Sequence, residues 1–272
     1  IIQKRKEVNY DAIYTFLHTG YIPEPQTGYT SISKFPAGHF AYLKGDLSLK
    51  IVSYKRIPSD VTDVGVGKRK NPILAIKSAL TEAIGKRMVS DVPLGAFLSG
   101  GTDSSLIVAL AAQQRPESVL KTFSVGFTDS QFDETHYARR VAQILKTEHH
   151  EYMLDEKEAV EILEEHLTHF DEPFADTSFI PMMQVCRLAK KDITVALTGD
   201  GGDELFLGYG AYDWAKRLDQ FWATLFQSPA AYTLRKLGTS RLKRIGLLLE
   251  KVERDEVRSH IFSQEQYFFS RS

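Results

Sequence analysis

The 272-residue chain has one cysteine, Cys186, so neither an internal disulfide nor a cysteine-built zinc site can form within it. Such sparse use of cysteine suits a reducing compartment, and a cytoplasmic setting is expected. Cys186 follows Met182, Met183 and Val185 in an apolar helical stretch, where a buried packing role is expected. An excess of one charge is missing too. The 34 basic and 35 acidic residues leave a net charge of −1, which gives no overall field for nucleic acid or an anionic membrane. The local richness in Lys and Arg from Lys216 to Arg258 reads as solvated faces of amphipathic helices. No signal-peptide pattern and no apolar run long enough to span a bilayer is found, so no membrane partner is expected. Internal repeats and low-complexity tracts are absent. Two familiar nucleotide signatures are absent as well: there is no G-x-G-x-x-G, and Gly65-Val66-Gly67-Lys68 lacks the spacing and trailing hydroxyl of a P-loop.

What is present is a glycine and hydroxyl loop, Ser99-Gly100-Gly101-Thr102-Asp103-Ser104-Ser105. It follows Leu94 to Leu98, apolar enough for a buried strand, and precedes Leu106, Ile107, Leu110 and Ala111 at helical spacing. The two glycines let backbone N–H groups approach an anion, the serines add hydroxyl donors, and the helix start contributes its positive dipole end. A phosphate or pyrophosphate site results. Asp103 is out of place beside phosphate unless a cation lies between them, which implies a hard divalent ion such as Mg²⁺. The plainer alternative is an ordinary strand-to-helix turn with an Asp near the cap.

A second stretch, Ile193 to Leu197 followed by Thr198-Gly199-Asp200-Gly201-Gly202-Asp203-Glu204, repeats this layout with acidic groups. In an open parallel sheet both loops can face one crevice outside the strand ends. Asp203 then pairs with Asp103 as a metal ligand, and Asp200 is placed to orient reacting groups or manage a proton. Simple helix capping by the same acids is the alternative.

Strands near Leu94 to Leu98, Thr122 to Gly126, Glu151 to Leu154 and Ile193 to Leu197 alternate with helices, which specifies an α/β fold with a doubly wound parallel sheet. Asn71-Pro72 starts a helix with Ile73, Ile76, Leu80, Ile84 and Met88 on one face. Residues 1–58 read as a separate piece, with a helix from Asp11 to Leu17 and a hairpin around Lys44-Gly45-Asp46; residues 59–70 read as a linker. His149 and His150 are neighbours on a strand and point to opposite faces, so a strand-entry role is expected rather than a shared metal. Asp171-Glu172 before Pro173 either projects a carboxylate toward the crevice or caps the helix after Asp176.

The first loop resembles the SGGxDS loop of the ATP pyrophosphatase group. Asp171 to Ser178, Thr198 to Phe206 and Gly208-Tyr209, with Thr122 to Phe127, Phe132-Asp133-Glu134 and Thr147 to Tyr152, resemble the synthetase domain of glutamine-dependent asparagine synthetases. Gly20 to Pro25 and Lys34 to His39 resemble that family's junction between glutaminase and synthetase domains. The resemblance implies an adenine nucleotide α-hydrolase-like fold, with the end of a glutaminase domain at 1–58 and an ATP-binding domain at 71–272 that stops short at its C-terminus. It implies ATP against Leu98, Val125, Gly126, Thr198 and Gly199, pyrophosphate on Ser99, Gly100, Gly101, Asp103 and Ser104, and Mg²⁺ at Asp103 and Asp203. Asp200 occupies an acidic position associated with the β-aspartyl-AMP intermediate. The implied reaction adenylates aspartate, releases pyrophosphate and joins ammonia, derived from glutamine by a glutaminase domain. A homodimer is left open.

Departures from the family pattern are Thr102 for a leucine, Thr198 for a serine and Leu207 for a glycine. No amino-terminal cysteine and no later Pro-Phe-Leu-Asp segment with its lysine is found, so a fragment of a longer enzyme is expected. Rival readings are an amidotransferase acting on another carboxylate, a tRNA-modifying relative, disfavoured by the single cysteine and balanced charge, and an idle nucleotide-binding module.

Overall fold

A computed structural model describes residues 7–54, 71–176 and 178–210, and beyond them 212, 213, 216, 232, 233, 236 and 246. The chain divides into two compact units, Ile1–Ser59 with Asp171–Asp176 and Leu207–Ser272, and Asp60–Phe170 with Thr177–Phe206. The expected linker, residues 59–70, lies outside the described residues.

In the first unit α1 (Tyr10–Thr19) begins where the Asn9 side chain accepts from the Ala12 N–H. It ends at Gly20, whose φ of 80° allows its N–H to close on Phe16. The expected hairpin forms as β1 (His39–Leu43) and β2 (Leu49–Ser53), antiparallel, with Asp46 accepting from the backbone and hydroxyl of Ser48 at its tip. Tyr42, Leu43 and Leu49 on it are exposed. Glu172 neither faces a crevice nor caps a helix. It pairs with Lys34 at 2.8 Å and accepts the Gly28 N–H at 3.2 Å, tying the 171–176 segment to its own unit.

The second unit is built on four parallel strands in the order β5-β4-β3-β6: β3 (Leu94–Phe97), β4 (Lys121–Phe127), β5 (Glu148–Leu154) and β6 (Val195–Leu197). Helices α2 (Pro72–Arg87), α3 (Thr102–Gln114), α4 (Thr135–Leu145), α5 (Glu156–His169), α6 (Phe179–Ala189) and α7 (Gly202–Phe206) complete it. Side chains alternate between sheet faces and so feed two cores. Ala96 and Leu98 pack with Ile84, Met88 and Val108, and with Ala138 of α4; Phe123 packs with Val185, Ala189 and Ile193 on the α6 side. Covered on both faces, the sheet has the doubly wound arrangement expected from the alternating pattern.

Four details differ from the sequence reading. β5 begins at Glu148 rather than Glu151, because His149 and His150 find partners along β4 and continue the ladder instead of entering it. β6 begins at Val195, because the Ile193 N–H is taken by Ala189 at the end of α6 and the Thr194 and Val195 N–H groups both point to Pro93. The apolar stripe of α2 is buried only at its C-terminal end: Ile84 and Met88 are 5% and 4% exposed, Ile73 76%. Asn71 and Pro72 start that helix as expected, with Asn71 accepting from Leu74 N–H. Cys186 is exposed, since Val185 and Ala189 occupy the buried face of α6. Among the described residues no helix is long and apolar enough to cross a membrane.

Candidate active site

β3 leads through α3 to β4 on one side, whereas β6 pairs with β3 on the other, so the strand order reverses between β3 and β6. In open α/β sheets the crevice outside the strand ends at such a point receives the ligand. A cavity of about 640 Å³ lies there, within the range of small-molecule sites. Both sequence-identified loops line it. Leu98, Ser99, Gly101, Asp103 and Ser104 come from the first, Thr198, Gly199, Asp200 and Asp203 from the second, and Val125 from β4.

The first loop is folded on its own hydroxyls. Ser104 Oγ lies 2.9 Å from Ser99 Oγ, receives the Ser99 N–H at 3.3 Å, and donates to Gly101 O, while Ser99 Oγ receives the Gly101 N–H. This clasp sets the loop's shape. It also takes part of the hydrogen-bonding capacity that the sequence assigned to a ligand, although the N–H groups at the start of α3 have no partners within the helix. Ser105 differs from expectation: its Oγ is buried without a partner and it does not line the cavity. Gly100 also stands outside the wall. Its φ is 85°, and a Cβ there would lie 2.4 Å from the Ala138 N atom of α4, so the turn needs glycine both for conformation and for space. Gly126 likewise lies behind the wall, against Asp133 and Thr135.

The second loop reaches the first directly. A Cβ on Gly202 would sit 2.2 Å from Asp103 Oδ2, and one on Gly199 would sit 2.7 Å from Ser104 N, so the two turns are in contact where the carboxylates gather. Thr198 Oγ1 donates to Asp200 Oδ2 at 3.0 Å and holds that exposed carboxylate above its own strand end. Glu134 adds a further acid, and no Lys or Arg lines the cavity among the described residues.

That imbalance bears on the implied Mg²⁺. A polyphosphate entering a wall of carboxylates without cationic side chains would be repelled, and a divalent ion removes the conflict. Among the described residues no group of three or more His, Cys, Asp and Glu is placed to hold a metal ion by itself. A pair of carboxylates is what Mg²⁺ takes from protein when phosphate and water supply the remaining oxygens, so Asp103 and Asp203 fit it.

The opposite wall was not named from sequence. Phe97, Phe123, Phe127, Met182 and Val185 line it, from β3, β4 and α6. The alternation of Phe123, Val125 and Phe127 along β4 carried the signal, since residues two apart share a face. The cavity thus has an apolar side and a polar side of amides and acids.

Residues 75–268 match the family model for asparagine synthase. Over 219 residues the chain is 36% identical to a Methanocaldococcus jannaschii protein provisionally named a glutamine-hydrolyzing asparagine synthetase 2, covering 80% of this chain and 42% of that one. It is 34% identical over 212 residues to glutamine-hydrolyzing asparagine synthetase 1 of Bacillus subtilis, covering 78% of this chain and 33% of that one. The chain therefore spans less than half the length of these curated relatives. Among solved structures, NMN synthetase from Francisella tularensis aligns with 50% of this chain and 58% of its own at 16% identity and a TM-score of 0.38, too slight a likeness to carry an argument. On the family match and the relatives together, this chain belongs to the asparagine synthase family.

Proposed function

We propose that this chain is the ATP-using part of an amide ligase that converts the side-chain carboxylate of aspartate to asparagine. The observation that carries the reading is the meeting of the glycine-hydroxyl loop and the acidic loop in one cavity with an apolar opposite wall. In the reaction an aspartate carboxylate oxygen attacks the α-phosphorus of ATP, the bond to the bridging oxygen breaks, and pyrophosphate leaves. Ammonia then attacks the activated acyl carbon and AMP leaves with the former carboxylate oxygen. Ammonia itself is a poor partner for an unactivated carboxylate, and adenylation supplies the leaving group.

In this scheme the N–H groups left free by the hydroxyl clasp, those at the start of α3 from Thr102 to Ser104, hold the departing pyrophosphate, with Ser99, Gly100 and Gly101 giving the loop its shape. Asp103 and Asp203 hold Mg²⁺, which when bound neutralises phosphate charge as it develops. Leu98, Val125, Thr198 and Gly199 frame the nucleoside, with Gly126 backing that wall and Phe127 offering apolar surface. Asp200, steadied by Thr198, faces the reacting groups and orients them. Release of ammonia from glutamine is assigned to a glutaminase part: Cys186, the one cysteine in this chain, lies on the outer side of α6, and partial desolvation there raises its pKa, away from the nucleophilic thiolate form. A homodimer and a cytoplasmic setting complete the proposal.

The test is ATP–pyrophosphate exchange with Mg²⁺, screened over aspartate and other carboxylates, in the full chain and its Asp103→Ala variant. Aspartate-dependent exchange that the variant loses is the expected result. Exchange with a different carboxylate transfers the site to that substrate, and none with any carboxylate in a folded protein favours the idle nucleotide-binding module.

A further inference from the structure

Behind the apolar wall, β4 and β5 enclose a line of buried polar side chains that the proposed reaction does not use. Thr147 Oγ1 lies 2.8 Å from Thr122 Oγ1, which lies 2.9 Å from His149 Nδ1. On the far side of the ring His149 Nε2 lies 3.2 Å from Ser124 Oγ and 3.3 Å from Glu151 Oε1. Arg139 then closes on Glu151 as a fork, with Nε–Oε1 3.1 Å and Nη2–Oε2 2.6 Å. Thr122 and Ser124 are 0% and 5% exposed.

The direction of these bonds follows from what each group is able to donate. Glu151, a carboxylate gripped by the Arg139 fork, only accepts, so Nε2 of His149 carries a hydrogen. Burial pushes the His149 pKa down, which keeps the ring neutral, and Nδ1 is then an acceptor for the Thr122 hydroxyl. The Nε2–H is shared between Glu151 and Ser124, so Ser124 Oγ is an acceptor on that side. Its own O–H hydrogen has no acceptor among the described residues, and Ser124 lines the cavity. A buried hydroxyl hydrogen without an acceptor is costly until something in the cavity takes it.

We infer that Ser124 is a ligand-binding residue whose hydroxyl donates to an acceptor atom on the nucleoside half of the bound nucleotide, and that His149 is the positioning residue that turns it outward. The nucleoside half is favoured because Ser124 lines the cavity from β4, on the sheet face opposite Phe123 and Val125 and toward α4, whose Thr135 and Ala138 also line it, whereas the phosphate-binding amides belong to the loop after β3. The inference rests on the reading of the cavity as an ATP site.

The experiment is calorimetric titration of the full chain with ATP and, separately, with inorganic tripolyphosphate, both with Mg²⁺. Ser124→Ala is expected to weaken ATP by about 5- to 10-fold, the worth of one hydrogen bond, and to leave tripolyphosphate unchanged. His149→Leu is expected to reproduce that loss. His149→Gln, which keeps an N–H donor toward Ser124 and Glu151, is expected to restore ATP affinity to within about twofold. Unchanged ATP affinity in Ser124→Ala overturns the inference while leaving the ATP site standing. An equal loss for both ligands in Ser124→Ala also overturns it, since that marks a structural role. A wild-type chain that binds tripolyphosphate but not ATP sinks the nucleotide reading, and this inference falls with it.

Discussion

The loops that follow β3 and β6 are the same turn put to different uses. Each leaves a strand, passes through a glycine in the left-handed region (Gly100 at φ 85°, Gly201 at φ 87°) and starts a helix. Around Gly100 the turn is enclosed by α4, braced by the Ser99 and Ser104 hydroxyls, and continued by the 13-residue α3. Around Gly201 nothing lies within 4 Å of an added Cβ, and α7 runs for only five residues. The enclosed loop presents backbone amides, which need a fixed scaffold to converge. The open loop presents carboxylates, which reach from side chains and tolerate a looser support.

Replacing the acid of either loop gives the largest expected change. Asp103→Ala and Asp203→Ala should each lower aspartate-dependent pyrophosphate exchange by about 10³-fold, and the double variant should be little worse than either, because both acids are assigned to one ion. Multiplying losses in the double variant would break the pairing of the loops. Next come the glycines. Gly100→Ala meets both the wrong φ and the backbone of α4 and should cost about 3 kcal/mol in urea unfolding, whereas Gly201→Ala meets only the wrong φ and should cost about 1 kcal/mol. Equal costs would show that enclosure does not distinguish the two turns.

A gentler effect is expected from His149, which belongs to neither loop and serves as a control. Its pKa in the fold lies below the ordinary imidazole value of about 6.5, mainly through burial, with Glu151 opposing that shift and His150 and Arg139 adding to it. The unfolded chain therefore binds the proton more readily. The stability this contributes is complete above pH 6.5 and is lost as pH falls from there toward the folded pKa. Thermal melts of His149→Gln should lack that part of the acid sensitivity and leave the glycine comparison untouched. The smallest change is at Leu207, just after α7, where φ is 58°. Leu207→Gly removes a left-handed strain of about 1–2 kcal/mol but adds a glycine's chain entropy, for a net gain of at most about 1 kcal/mol in the same unfolding assay.

Gly100, Gly201 and the acids between them were legible in the sequence because a glycine-rich turn between an apolar strand and a helical repeat has few other readings. The sheet was legible for the same reason of punctuation, with Pro93 and Gly199 bracketing short apolar runs. Periodicity, by contrast, announces a face without saying what covers it. The stripe from Ile73 to Met88 is regular throughout, yet only the end that meets α3 is buried, where Gln114 also donates to Thr81 O. Cys186 was misjudged on the same ground, since an apolar helix still has an outer side. Glu172 and Lys34 are far apart in the chain, and His149, Ser124 and Glu151 meet only through the register of β4 with β5. No local pattern records such pairings.

β6 has three residues and, among the described residues, pairs with β3 alone. Its partner precedes it by the whole of α3 through α6, so this is the pairing that must wait for the longest loop to close, and it is the least cooperative part of the sheet to hold. The acidic turn hangs on that short strand. A ligand that bridges the two turns would then act as a clasp for late folding, binding most tightly to molecules whose final strand is docked and drawing the rest toward that state by mass action.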